Sequence, residues 1–289
     1  MKKSILFLLL VSFAFVNIYA SNPDESISKL KEGNARFVTG STIHPNLDKE
    51  RLLNTAKDGQ KPFATILACS DSRVPVEQIF DWGVGDLFVI KVAGNVADGD
   101  EIGSIEYGTE HLHTPVLLVL GHTKCGAVTA VVKGDEVHGH IPALVDNIVP
   151  AATAVKEKHS NADEQIIINK TIEMNVFQSI KDVLTRSAIV SDLVKEGKLK
   201  IIGAVYDIET GRINWLGNHP DESTLVNAPK EDLHAKHDSH ESFFTSSNFI
   251  FMGIFIVVVS LIATLLIVMK TRKSWLIFKN YINSIQLKC

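Results

Sequence analysis

Two short segments of the chain carry side chains whose types and spacing suit metal chemistry. Cys69-Ser70-Asp71-Ser72-Arg73 sets a thiol two residues before a carboxylate and four before a guanidinium. Gly121-His122-Thr123-Lys124-Cys125-Gly126 sets an imidazole three residues before a second thiol. Sulfur and imidazole nitrogen are preferred ligands of zinc. Three protein ligands leave a fourth position for water, as in catalytic rather than structural sites. Cys69, His122 and Cys125 are therefore the candidate ligands of one Zn2+ per chain. Gly121 and Gly126 would let the backbone turn tightly beside the ion. Taken singly, a buried Cys is usually core filler. The rival for the pair is a Cys69–Cys125 disulfide, which suits an oxidising compartment but leaves His122, Asp71 and Arg73 unexplained. Bound zinc lowers the pKa of its water from ~15.7 toward ~7. Two thiolates cancel the charge of the ion, so the water is acidified less than by an ion on three neutral imidazoles, and activity should rise toward alkaline pH.

Both segments must be delivered by the elements that precede them, and each follows an apolar run. Residues 63–68, 87–92, 116–120 and 201–206 are short and β-rich, and read as buried strands. Near-continuous apolar runs suit parallel strands covered on both faces. Helical patterns lie between and around them, over 25–38, 75–80, 101–112, 125–132, 143–157 and 164–194. This alternation predicts an α/β fold with a mainly parallel central sheet flanked by helices. In such sheets, sites gather beyond the carboxyl ends of the strands. Both candidate segments fall there.

At this point the chain resembles the β-class carbonic anhydrases. Cys69-Ser70-Asp71-Ser72-Arg73 is similar to the family's Cys-x-Asp-x-Arg motif, and His122-Thr123-Lys124-Cys125 to its His-x-x-Cys motif. Residues 86–95, 104–107, 30–37 and 203–211 resemble further family segments, so the likeness covers most of residues 25–217. The resemblance implies reversible hydration of carbon dioxide to bicarbonate and a proton. It implies that Arg73 restrains Asp71, so that Asp71 accepts a hydrogen bond from the attacking oxygen. It also implies that Phe88, Ala93 and Tyr107 line an apolar substrate pocket, with Gln60 offering an amide to the substrate and several of these supplied by a neighbouring subunit. A homodimer or higher homo-oligomer is expected. His111, His113, His138 and His140 are of the right type to pass a proton outward. Two alternatives use the same residues: a carbon disulfide or carbonyl sulfide hydrolase on this fold, and a catalytically silent zinc-binding module.

Composition bounds the rest. The chain has 289 residues, 45% hydrophobic and 21% charged, with three Cys. That excludes disorder throughout and a disulfide scaffold. Lys2-Lys3, an apolar run over 5–16 and Ala20 before a polar start read as a secretory signal over residues 1–20. Residues 21–219 form the catalytic domain, and 220–248 a polar linker containing His234, His237 and His240. Residues 249–269 are apolar and uncharged, long enough for one C-terminal transmembrane helix. A basic tail over 270–289, ending in Cys289, follows and marks the cytoplasmic side. The expected topology is an exported domain, periplasmic in a Gram-negative cell, on a single membrane anchor. The net charge of -4 conceals an acidic body. Lys2, Lys3, Lys270, Arg272, Lys273, Lys279 and Lys288 sit at the two ends, so the remainder holds -11. A body of that sign repels phosphate backbones, and no nucleic-acid partner is expected.

Overall fold

The computed structural model describes residues 22–230. Five strands form one sheet: β1 (Ala64–Cys69), β2 (Leu87–Val92), β3 (Val116–His122), β4 (Lys200–Tyr206) and β5 (Ile213–Gly217). Their order is β2-β1-β3-β4-β5. The first four run parallel, and β5 is antiparallel to β4. The alternation of side chains sorts the core onto two faces. Leu67, Cys69, Leu117, Val119 and Ile201 face one cluster, while Ile66, Ala68, Leu118, Leu120 and Ile202 face the other. Every residue of β1 and β3 is buried, so these central strands read as continuous apolar runs. The edge strand β5 is only partly buried. Its sequence, Ile213-Asn214-Trp215-Leu216-Gly217, carries no such run, which is why the strand was not expected.

The helices, in chain order, are α1 (Pro23–Thr39), α2 (Lys49–Asp58), α3 (Val76–Ile79), α4 (Gly99–Glu106), α5 (Gly126–Lys133), α6 (Ile141–Val145), α7 (Val149–Lys158), α8 (Glu164–Arg186), α9 (Ala188–Lys195) and α10 (Glu222–Leu225). Helix α2 buries no residue and so shows no apolar stripe. Its signal was Asp48, whose side chain accepts from the Arg51 amide as an N-cap. Three expected helices are shorter or divided, each for a local reason. The helix expected over 101–112 ends at Glu106 and continues as a widened π-type turn over Tyr107–His111. The helix expected over 143–157 is two, because Pro150 has no amide proton and is accepted only in the first turn of α7. The helix expected over 164–194 breaks at Ser187, whose backbone is extended (φ -104°, ψ 113°). The Ser187 hydroxyl accepts from the Val190 amide, capping α9, and donates to Glu106 Oε1 at 2.6 Å.

Helix α8 lies flush on the sheet because two strand glycines let it. A Cβ on Gly121 would stand 2.8 Å from Val176 Cγ2, and one on Gly203 would stand 2.7 Å from Val176 Cγ1. No side chain fits at either place. The domain also extends beyond residue 219, where the polar linker was expected to begin. Val226, just after α10, is buried in the same cluster as α8. Lys230 Nζ donates to the Leu184 carbonyl and the Ser191 hydroxyl. The polar composition of 220–230 hides one apolar anchor. The segments read as signal, membrane span and basic tail, and the rest of the linker with its three histidines, lie outside the described residues. Among the described residues no helix is long and apolar enough to cross a membrane.

Candidate metal centre

The carboxyl ends of β1 and β3 lie side by side in the sheet, and both ligand-bearing segments start there. Cys69 is the last residue of β1 and His122 the last of β3. Cys125 caps the start of α5 with extended backbone, reached through Lys124 in the left-handed conformation (φ 57°). One ligand atom from each of Cys69, His122 and Cys125 lies within 4.8 Å of the other two. All three residues are buried. Ligands at about 2.3 Å from a tetrahedral ion stand about 3.8 Å apart, so the cluster has the right size for zinc.

The donor chemistry fits as well. His122 Nδ1 lies 2.9 Å from the Thr123 carbonyl. A carbonyl only accepts, so the ring proton sits on Nδ1 and Nε2 presents a lone pair. Nε2 is buried without a hydrogen-bond partner, the state expected of a metal ligand. Both thiols are free, which removes the disulfide alternative. A hydrogen bond from Cys125 pushes the Cys69 thiol down to about 4 against the effect of burial, with the amides of Asp71 and Gly94 adding to it. The same bond, together with burial, pushes Cys125 up. A dication held by both sulfurs would take the place of the thiol protons.

Asp71 and Arg73 form a two-pronged pair beside the cluster. Arg73 Nε donates to Asp71 Oδ1 at 2.9 Å and Nη2 donates to Oδ2 at 2.7 Å. The Arg73 amide adds a third bond to Oδ1 at 2.9 Å. The guanidinium is itself held by the Lys124 carbonyl, an anchor that sequence reasoning had missed. Asp71 Oδ2 stands 3.8 Å from His122 Nε2, so the carboxylate overhangs the ligand cluster. Arg73 holds the Asp71 carboxyl well below the usual carboxylate range. With the Arg73 side chain 51% exposed, the pair contributes little to stability, and its effect is on orientation.

The residues expected to line the pocket separate into two groups. Ala93 follows β2 and adjoins Gly94, whose amide donates to Cys69 Sγ at 3.2 Å. Phe88 and Tyr107 do not join this chain's cluster. Phe88 pairs in register with Thr65, while Cys69 pairs with Val92. Four residues along a strand separate the two levels, about 13 Å. The Phe88 and Tyr107 rings lie together at that far level, with centroids 5.8 Å apart, and Tyr107 is 49% exposed. Gln60 is exposed on the approach to β1, also before the amino end of the strand. His111 stacks against Tyr107 at 5.4 Å.

Comparison with known proteins agrees with this geometry. The family model described as carbonic anhydrase matches residues 64–213. Carbonic anhydrase 2 of Mycobacterium tuberculosis is 36% identical over 209 residues, covering 70% of this chain and 98% of that protein. The carbonic anhydrase of Mycolicibacterium smegmatis is 33% identical over 197 residues, covering 67% and 93%. Among solved structures, the β-carbonic anhydrase CafA of Aspergillus fumigatus superposes with a TM-score of 0.55 at 26% identity, covering 72% of this chain and 99% of that one. One of two tetrameric β-carbonic anhydrases of Sordaria macrospora gives 0.52 at 25% identity, covering 67% and 98%. The matched region carries both ligand-bearing strand ends and the sheet that joins them, and on that ground the chain belongs to the β-class carbonic anhydrases, a family of enzymes.

Proposed function

We propose that Cys69, His122 and Cys125 hold one zinc ion at which carbon dioxide is reversibly hydrated to bicarbonate and a proton. The observation that carries this reading is the Asp71 carboxylate pinned by Arg73 over three convergent, buried ligands. Zinc, when bound, supplies an acidified water as the nucleophile. Asp71 takes three bonds from Arg73, two of them on Oδ1. A lone pair on Oδ2 remains to accept the proton of the attacking oxygen. Accepting that hydrogen bond turns an oxygen lone pair toward the carbon of the substrate. Arg73 keeps Asp71 ionised across the working range, so Asp71 acts as an acceptor and does not itself titrate there. Asp71 is therefore not the source of a rise of rate with pH. Stopped-flow hydration measured from roughly pH 6 to pH 9 should climb, and a flat profile would count against two thiolate ligands on the ion.

The walls around an apolar substrate should be apolar. Ala93 lies beside the cluster in the same chain. We infer that Phe88, Tyr107 and Gln60 serve the site of a second copy, since they lie at the other end of their own sheet and Tyr107 is half exposed. The tetrameric Sordaria relatives support an assembly of this kind. Export and anchoring are inferred from the sequence of residues 1–20, 249–269 and 270–289. The full chain should fractionate with membranes, lose its catalytic domain to protease added outside, and sediment in detergent as a dimer or larger. An active monomer in the soluble fraction would contradict both inferences.

A further inference from the structure

Helix α8 packs against β3, β4 and the turn over Ala93–Asn95 that follows β2. Its middle carries two buried polar residues, Asn175 (1% exposed) and Ser179 (2% exposed). Both reach the turn that follows β2. Asn175 Nδ2 donates to the Gly94 carbonyl at 2.7 Å. The Ser179 hydroxyl lies 2.9 Å from the Asn95 carbonyl, sharing its proton with the Asn175 carbonyl one turn before. The turn needs holding, because Gly94 (φ 74°) and Asn95 (φ 47°) are successive left-handed residues. Its outcome is chemical: the Gly94 amide donates to Cys69 Sγ at 3.2 Å.

We propose that Asn175 is a positioning residue of the metal centre, which fixes the turn over Ala93–Asn95 so that the Gly94 amide hydrogen-bonds the Cys69 sulfur. An N–H bond draws charge from a thiolate and fixes the direction of its lone pairs. Two thiolates would otherwise cancel the charge of a dication, so this bond helps to preserve its electrophilic character. The approach of α8 that places Asn175 here depends on Gly121 and Gly203, where a Cβ would meet Val176. Sequence reading passed over Asn175, because an Asn in a long amphipathic helix looks like one more residue of its polar face.

The inference rests on the zinc reading above, and the test separates the two. In the full chain, Asn175→Leu keeps the branching at Cγ, adds some bulk and removes the donor. Thr171→Val is the control: Thr171 is equally buried on α8, and its hydroxyl bonds the Ile167 carbonyl of its own helix. Loss of a partner that bonds a ligand directly typically costs a metal site about 10–100-fold in affinity. Asn175 acts on Cys69 one bond further out, through the Gly94 amide, so Asn175→Leu should release zinc to a chelator several-fold, up to about tenfold, faster than wild type. It should also shift the thiolate-to-metal absorption of the cobalt-substituted protein. Thr171→Val should change neither. If Asn175→Leu does not fold, Ser179→Ala gives the same readouts, with a smaller change in the same direction. Release and absorption unchanged in the folded variant, or changed equally in the control, overturn the role of Asn175 while leaving the zinc reading intact. A wild-type chain that binds no zinc would overturn both.

Discussion

Asp71→Asn should leave zinc bound and lower carbon dioxide turnover by about 10²-fold or more, the scale of a lost orienting contact. The substitution hardly changes shape. What changes is the polarity of the edge that overhangs the cluster. Arg73 offers only donors, and two of its three bonds reach Oδ1, so an Asn at this position must set its one oxygen there, toward Nε and the Arg73 amide. Its amide nitrogen then faces the site and donates where an acceptor is required. The attacking oxygen loses the partner that orients it. Zinc content should not fall, because Asp71 is not among the three convergent ligands. Metal analysis and stopped-flow hydration on one preparation check both halves. Normal turnover in a zinc-loaded Asp71→Asn protein would show that the carboxylate does not orient the nucleophile.

Replacing a ligand should act on a different quantity. Cys125→Ala should lose zinc and turnover together, with an affinity loss greater than the ~10–100-fold expected for an outer partner. The residue is buried at the start of α5 and makes no side-chain cap bond there. Its removal therefore deletes a sulfur without deleting a helix cap. The remaining thiol and imidazole form a two-ligand site, too few for a stable ion of this kind. The Ala variant should retain its fold, visible as an unchanged far-ultraviolet spectrum, while its zinc content drops below one tenth of wild type. Retained zinc would mean that another group can complete the site. Comparison with Asp71→Asn then separates holding the ion from using it.

The convergence of Cys69, His122 and Cys125 was readable because their residue types are rare, and because strand ends in an α/β sheet are where such side chains meet. The four parallel strands were readable for a related reason: burial on both faces demands unbroken apolar runs. Elements with little buried surface escaped, namely α2, whose residues are all at least partly exposed, and β5, an edge strand. Helix ends set by one residue escaped too, such as the break at Ser187. The pocket residues show a further limit. Phe88, Tyr107 and Gln60 belong to recognisable segments, but local sequence does not say which end of the sheet they occupy. Strand register does for Phe88, about 13 Å along the sheet from its own cluster, with Tyr107 packed against it and Gln60 before the same end of β1. The contacts that tune the site, from the Gly94 amide, the Lys124 carbonyl and Asn175, bridge parts of the chain that no spacing rule connects.

The central claim is that one zinc ion on Cys69, His122 and Cys125 is what makes this chain hydrate carbon dioxide. The direct test is to measure zinc content and stopped-flow hydration on the same full-length samples: as purified, after exhaustive chelation, and after graded return of zinc. Binding should saturate at one zinc per chain, with the rate rising in proportion to occupancy and vanishing in the stripped protein. A stripped protein that hydrates carbon dioxide as fast as the loaded one would contradict it.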